Sequence, residues 1–167
     1  MELRDAFDLA YLTGQRPADV LGMRLADVRD GALEVQQGKT RRKLRIRLDR
    51  DDGTRTELGR LIDRFRTREL SGISGYLLQT ADGRPLSARM LRTRFEACRT
   101  VAADQARAAG DEDLATRIAA CQFRDVRAKA ASEIASLEAA SHLLGHTQEE
   151  ITKKIYVRRG REVLPVK

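Results

Sequence analysis

Two residues near the end of the chain, His146 and Tyr156, are of types that can act on an anionic centre. Tyr156 lies in a cationic stretch, and such a setting lowers the free-energy cost of a nucleophilic phenolate. Its basic neighbours are Lys153, Lys154, Arg158 and Arg159. The alternatives are that His146, after a helix-ending glycine, is a structural hydrogen-bond donor and that Tyr156 packs in the core of an amphipathic helix.

The sequence predicts neither a metal site nor a cofactor. His142 and His146 are four residues apart, which can suit zinc, but no glutamate follows His142 and the pattern supplies no third ligand. Cys98 and Cys121 lack the spacing of a metal knuckle and are too few for a disulfide framework. We expect two buried thiols in a reducing compartment.

Arg16 and Lys39 are cations at chain positions that favour contact with an anion. Arg16 lies between a glycine-containing turn and a helix that Pro17 begins, and a helix N-terminus carries partial positive charge. Lys39 lies in a short turn, where neighbouring cations make it easier for its ammonium to donate a proton. Either residue could instead be an ordinary solvated surface cation.

Arg124 and Arg127 lie three apart on a predicted helix, so we expect them to face the same way. Two guanidiniums on one helix face make a fork for a phosphate. The alternative is an ion-pair pattern within the helix, with Asp125 or Glu133 as partners.

A mainly helical domain with one small antiparallel sheet must position these residues. Helical periodicity predicts helices over about residues 2–12, 17–25, 55–70, 87–109, 112–121, 124–138, 138–145 and 148–158. Asp111 can cap the helix that follows it, and a short strand with a turn at Asp82-Gly83 is expected between the third and fourth helices. The pattern shows no repeat and no linker. It predicts an α+β fold in a single domain.

The sheet is predicted from a change to period-two alternation. Apolar residues alternate with polar ones on both sides of a turn at Gly38-Lys39-Thr40, at Leu33, Val35, Leu44, Ile46 and Leu48. The other face of this β-hairpin is basic. Its cations are Lys43, Arg45 and Arg47, with Lys39, Arg41 and Arg42 in or beside the turn.

The overall charge agrees with a polyanionic partner. Lys and Arg number 32 against 25 Asp and Glu, which gives a net charge of +7 and a pI near 9.9. Nucleic acid is the partner this favours, although a well-solvated basic protein would have the same composition. No apolar run approaches the roughly 20 residues of a membrane span. We therefore expect a soluble intracellular protein with no membrane partner.

Five segments in order resemble the catalytic domain of the tyrosine recombinases, specifically the phage integrase family. The segments are "TGQRPADVLGMRLADV", "QQGKTRRKLRIRL", "FRDVRAKAAS", "LLGHT" and "ITKKIYVR". The resemblance runs from about Leu9 to Arg159. It implies that residues 1–167 form a single catalytic domain and that the N-terminal core-binding domain of the family is absent.

The resemblance also implies a catalytic set and a reaction. The set comprises Arg16 and Arg127 as the two arginines, Lys39 as the hairpin lysine, His146 as the histidine of the Leu-Gly-His motif and Tyr156 as the nucleophile. The implied reaction is site-specific DNA recombination, in phage or prophage integration and excision, through a 3'-phosphotyrosyl intermediate and without a metal. The residues expected to contact DNA are Arg41, Arg42, Lys43, Arg45 and Lys129.

One departure from the family pattern concerns Arg124, which stands where a histidine is usual. An arginine can donate hydrogen bonds to a phosphate, but it cannot accept a proton near neutral pH. Arg124 could therefore assist the transition state but not act as a base. A non-catalytic DNA-binding module and a type IB topoisomerase-like enzyme are the alternatives.

The resemblance further implies double-stranded attachment sites as partners, a tetramer on DNA for the full-length protein and a location in the bacterial cytoplasm or nucleoid. Accessory DNA-bending or excision factors are possible partners, and the isolated domain could be a monomer. In one straight helix, His146 and Tyr156 would lie roughly 15 Å apart and about 80° around the axis. We therefore expect a bend near residues 147–150.

Overall fold

The computed structural model describes residues 2–67, 75–134 and 136–145. Within these ranges the chain forms seven α-helices and one three-stranded antiparallel sheet, which confirms the α+β prediction. The elements are α1 (Glu2–Thr13), α2 (Pro17–Gly22), β1 (Val28–Arg29), β2 (Ala32–Gln36), β3 (Lys43–Arg47), α3 (Glu57–Thr67), α4 (Ala88–Ala108), α5 (Glu112–Ala120), α6 (Asp125–Glu133) and α7 (Leu137–Leu144). The helix predicted over 148–158 lies outside the described residues.

The core lies between α1, α3 and the sheet. Leu9 on α1, Ile62 and Phe65 on α3 and Leu33 on β2 are each completely buried. Each such side chain contributes about 2 kcal/mol of hydrophobic stabilisation. The periodic apolar faces of α1 and α3 therefore fix where their polar neighbours point.

The sheet has the strand order β1-β2-β3, and its main hairpin has the predicted apolar face. Leu33 lies opposite Ile46 and Val35 opposite Leu44, so the apolar residues share one face. Along β3, exposed bases alternate with half-buried aliphatic residues. Strand β1 has only two residues, too few to show a period in the sequence.

Capping residues explain several helix boundaries. The side chain of Ser87 accepts a hydrogen bond from Met90 N at the start of α4, and that of Asp111 accepts one from Leu114 N at the start of α5. The cap at Asp111 confirms the sequence prediction. Ser136 does the same for α7, and α6 accordingly ends at Glu133 rather than near residue 138. Helix α2 ends at Gly22, and a 3-10 turn follows it.

Two further expectations need correction. Residues 76–85 form isolated bridges, Gln79 with Pro85 and Tyr76 with Arg24, rather than a strand. Cys98 and Cys121 are both exposed, not buried. Cys98 lies off the packed stripe of α4, whose buried positions are Leu91, Ala103 and Ala106, and Cys121 lies just beyond the end of α5. No helix in the described ranges has the length and apolar character needed to cross a membrane.

Candidate active site

Three separate segments meet at the C-terminal end of α7. The last carbonyls of a helix have no partner within the helix and need donors from elsewhere. Leu144 O accepts from Gln37 Nε2 at 2.9 Å and from Arg127 Nη2 at 2.8 Å. Leu143 O accepts from Gln15 Nε2 at 2.8 Å. The turn before α2, the end of β2 and helix α6 are thereby joined at one point.

Arg127 is the buried centre of this junction. Its side chain is 3% exposed, and its Nη1 donates to Gly14 O at 2.6 Å while its Nη2 reaches Leu144 O. A buried guanidinium is tolerated when its N–H groups are hydrogen-bonded, and bonds to a charged donor are stronger than neutral ones. Arg127 therefore holds the turn before α2 against the end of α7.

Arg16 occupies the N-cap position of α2, with Pro17 as the first helical residue. Its nearest acid is Asp19, with Nη1 and Oδ2 3.9 Å apart, and its side chain is 25% exposed. Nη1 is buried, and no hydrogen-bond acceptor for it lies in the part of the chain that the structure describes. A buried donor without an acceptor costs about 1–3 kcal/mol, so the position favours an incoming anion.

Lys39 is exposed on a turn that is tied down at both ends. Gln37 N donates to Arg42 O, and Arg41 N donates to Gln37 O, each at 2.8 Å. The N–H of Gly38 donates to Asp19 Oδ1 at 2.8 Å. Because Asp19 also faces Arg16, this carboxylate fixes the Lys39 turn next to the start of α2.

Glycines at two points allow the segments to come this close. Gly145 has φ +64°, and a Cβ there would lie 2.9 Å from Gln37 Nε2. Gly14 has φ +62°, and its Cβ would lie 3.0 Å from Leu143 Cδ2. Both the left-handed backbone and the close approach exclude a larger residue. The glycine of the Leu-Gly-His motif is therefore explained by packing against Gln37.

The structure does not place Arg124 and Arg127 on one exposed face. Arg124 is the N-cap residue of α6 and is exposed, whereas Arg127 points inward. Arg124 lines a groove of about 660 Å³ together with Pro17 and Ala18, the residues that follow Arg16. Arg124 therefore lies near the Arg16 segment at the surface, and Arg127 contacts it from the interior through Gly14 O.

The predicted DNA-binding residues occupy two places. Arg41, Lys43 and Arg45 are exposed on the hairpin, where Arg45 lies 3.7 Å from Glu34, and Arg42 is half-buried beside them. Lys129 is elsewhere, on the outer side of α6, with Nζ 2.5 Å from Glu133 Oε1. Glu133 also accepts a hydrogen bond from the Tyr11 hydroxyl, which raises the pKa of Tyr11. Lys129 therefore belongs to a separate cluster.

His146, Tyr156 and the expected bend over 147–150 lie outside the described residues. The last described residue before His146 is Gly145, which lies beside Gln37, and Arg127 bonds the carbonyl of Leu144. Among residues 2–67, 75–134 and 136–145, no group of three or more acidic, histidine or cysteine side chains is arranged to hold a metal ion.

The sequence reasoning missed Gln15, Gln37 and Asp19. A signal for Gln37 was present, because residues 33 and 35 lie on the inward side of β2 and residue 37, the first beyond the strand, continues this alternation as a polar residue. A polar residue at an inward position needs a hydrogen-bond partner, which here is the end of α7. Gln15 and Asp19 gave no comparable signal, since the partners that join them to other segments, Leu143 and Gly38, are distant in sequence.

A mainly helical domain with a small sheet, which gathers Arg16, Lys39 and Arg127 around the segment leading to His146, is the catalytic domain of a tyrosine recombinase. Residues 1–162 match the Phage integrase family, and the chain belongs to that family.

Similar proteins agree with this assignment. The structure of the lambda integrase catalytic core matches with a TM-score of 0.61 at 25% identity, over 87% of this chain and 83% of that one. A lambda integrase tetramer bound to a Holliday junction shares the fold, with a TM-score of 0.65 and 24% identity, and this chain covers 45% of its length. The integrase of Escherichia phage HK022 is 48% identical over 46 residues, which are 28% of this chain and 13% of that protein.

Proposed function

We propose that this chain is the catalytic part of a site-specific DNA recombinase of phage or prophage origin. The observation that carries the proposal is the junction at the end of α7, which brings the segments of Arg16, Lys39 and Arg127 together beside Gly145. The proposal assigns the nucleophile to Tyr156 and the histidine to His146, on the resemblance of "ITKKIYVR" and "LLGHT" to the family's segments. The basic hairpin supplies a surface for the DNA backbone.

In the proposed reaction, the phenolic oxygen of Tyr156 attacks a DNA phosphorus and the bond from phosphorus to the 5'-oxygen breaks. The products are a 3'-phosphotyrosyl link and a strand with a free 5'-hydroxyl. The covalent link conserves the energy of the phosphodiester, so that a second 5'-hydroxyl can reverse the step and join new strands.

The cations stabilise the charge that develops on phosphorus. Arg16 has a buried Nη1 directed to no acceptor in the described residues, and it binds a non-bridging oxygen. His146 completes this donor set, and the exposed Arg124 assists from the groove side. Arg127 contributes by holding the turn before α2 against the end of α7 through Gly14 O and Leu144 O. Lys39 gives a proton to the departing 5'-oxygen. These residues provide the charge stabilisation for which some nucleases use a metal ion.

The partners follow from the reaction. The substrate is a double-stranded attachment site in the bacterial cytoplasm, and two duplexes exchange strands within a tetramer of the longer protein. The lambda integrase structures, bound as dimers to core sites and as a tetramer to a Holliday junction, support this assembly. Accessory DNA-bending or excision factors belong to the same proposal.

A pool of duplexes with randomised centres and a central nick tests the proposal. The nick lets the short strand end diffuse away, so a cleaved complex cannot religate. Wild-type protein should retain DNA after denaturation, and the released strand should carry a 5'-hydroxyl that polynucleotide kinase can label. Tyr156→Phe should abolish the adduct. Tyr76→Phe, which removes a hydroxyl bound only to Arg24 among the described contacts, is the matched control. An adduct that persists in Tyr156→Phe would exclude Tyr156 as the nucleophile.

A non-catalytic DNA-binding module is the second candidate, favoured by the arginine at position 124. It predicts salt-dependent binding without any adduct. Arg124→His distinguishes the two candidates. If the arginine alone has removed activity, this substitution should create an adduct that the wild type lacks. In the recombinase proposal the wild type already forms it.

A further inference from the structure

Two buried glutamines, Gln15 and Gln37, form a side-chain pair at the junction. Gln15 is 1% exposed and Gln37 is completely buried. Gln37 Nε2 donates to Gln15 Oε1 at 2.7 Å. Neither side chain can reach a DNA phosphate from these positions, because solvent itself has almost no access to them.

The pair is saturated with hydrogen bonds. Gln37 Nε2 also donates to Leu144 O, and Gln37 Oε1 accepts from Thr40 Oγ1. Gln15 Nε2 donates to Thr13 O and Leu143 O, both at 2.8 Å. Both N–H groups and the oxygen of each amide are therefore used. Reversal of either amide would place two donors or two acceptors against each other, so the arrangement has one orientation.

Each bond connects a segment that carries a candidate catalytic residue. Gln15 precedes Arg16, Gln37 closes the turn of Lys39, and Leu144 is two residues before His146. The interior is close-packed, so a shift of one amide moves the others. Gly145 is packed tightly against the pair, since a Cβ there would lie 2.9 Å from Gln37 Nε2.

We propose that Gln15 and Gln37 are positioning residues that set the relative placement of Arg16, Lys39 and the C-terminal end of α7 for the transesterification. This proposal rests on the proposed function. A displacement of about 1 Å in a catalytic constellation can lower a rate on the order of a hundredfold. The pair acts through Lys39 most directly, because the Thr40 hydroxyl and the main chain of Gln37 define the Lys39 turn.

The test substitutes Gln37→Met, which keeps the length of the side chain and removes its hydrogen bonds. The matched control is Gln36→Met, one residue earlier on the exposed face of β2. We expect Gln37→Met to lower the single-turnover rate of adduct formation at saturating nicked DNA on the order of a hundredfold, with the Kd within about threefold of wild type. Gln36→Met should leave the saturated rate unchanged.

A second substrate separates misplacement of Lys39 from general damage. With sulfur in place of the 5'-bridging oxygen, the leaving group is a thiolate, which departs without a proton because thiols are far more acidic than alcohols. This substrate should restore most of the rate lost in Gln37→Met, and a disordered protein would gain nothing from it. Thr40→Val, at an exposed position, should show a smaller loss of rate, and the sulfur substrate should restore it. This variant tests the positioning role if Gln37→Met does not fold.

The outcomes are distinct. Equal rates for Gln37→Met and Gln36→Met, or a loss that the sulfur substrate does not restore in either Gln37→Met or Thr40→Val, would overturn the positioning role alone. The absence of an adduct with wild-type protein on both substrates would overturn the proposed function and this inference together.

Discussion

The α7 junction and the basic hairpin are both polar, but they are built in opposite ways. At the junction, Gln15, Gln37 and Arg127 are buried and bonded to main-chain carbonyls. On the hairpin, Lys43 and Arg45 are exposed, and the nearest acid to Arg45 is 3.7 Å away. Buried, hydrogen-bonded contacts fix geometry, whereas exposed charges act through a screened field. We therefore expect junction substitutions to change rates and hairpin substitutions to change affinity.

The largest effect is expected for Arg127→Ala at the junction. The substitution removes two charge-assisted bonds to Gly14 O and Leu144 O, and it should lower the free energy of unfolding by about 3 kcal/mol. Adduct formation at saturating DNA should fall by about a thousandfold. Urea unfolding and single-turnover assays measure both, with the exposed Arg89→Ala on α4 as the control. A stable variant with a normal rate would contradict the distinction between the regions.

Lys39→Ala and Lys43→Ala compare, within one hairpin, a residue on the turn that Gln37 of the junction closes with a residue on the exposed strand β3. Lys39→Ala should lower the saturated rate on the order of a hundredfold through loss of the proton donor. Lys43→Ala should leave that rate unchanged and reduce the slope of log Kd against log salt concentration by about 0.9 for one lost phosphate contact. Titrations at several salt concentrations and single-turnover rates measure the two quantities. Equal rate losses in the two variants would contradict the assignment of a catalytic role to Lys39 and a binding role to Lys43.

Many of the helices and the β-hairpin could be predicted from the sequence, because the signals for them are local. Alternation predicted the β2-β3 hairpin and its apolar face, and Asp111 marked the start of α5. The junction could not be predicted, since its bonds join residues 17 to 128 apart in the chain and no periodicity records them. The inward direction of Arg127 was missed for the same reason: its partners lie on α7 and in the turn before α2.

Gly145→Ala tests how tightly the junction is packed. The αL backbone and the contact with Gln37 should together lower the free energy of unfolding by about 3 kcal/mol. Gly110→Ala is the control, because Gly110 has φ +81° with open space around its Cβ position, and it should cost only about 1 kcal/mol. Similar costs for the two variants, measured by thermal or urea unfolding, would show that Gly145 is not in close contact with Gln37.

The smallest effect is expected where ion pairs attach the hairpin to α3. Arg55 bonds Asp49 beyond β3 and Asp63 on α3, and the bond from Arg55 lowers the pKa of Asp63. Because the folded pKa lies below the unfolded one, this stabilisation is present at neutral pH and is lost as the pH falls through the folded value. Asp63→Asn should cost about 0.5–1 kcal/mol at pH 7 and less in acid, since the pair is partly exposed.

Urea unfolding of wild type and Asp63→Asn across pH 3 to 7 measures that difference, with the exposed Asp113→Asn as control. If the difference in unfolding free energy between wild type and Asp63→Asn grew as the pH falls, the predicted direction of the pH dependence would be wrong.

The central claim of the proposed function is that Tyr156 is the nucleophile that attacks the DNA phosphate. Wild-type protein trapped on nicked duplex, digested with trypsin and nuclease and analysed by mass spectrometry, tests it most directly. The account predicts a nucleotide attached to the peptide containing Tyr156 and to no other tyrosine peptide. Attachment at Tyr11 or Tyr76, or nicked duplex that is not cleaved further and carries no peptide, would contradict it.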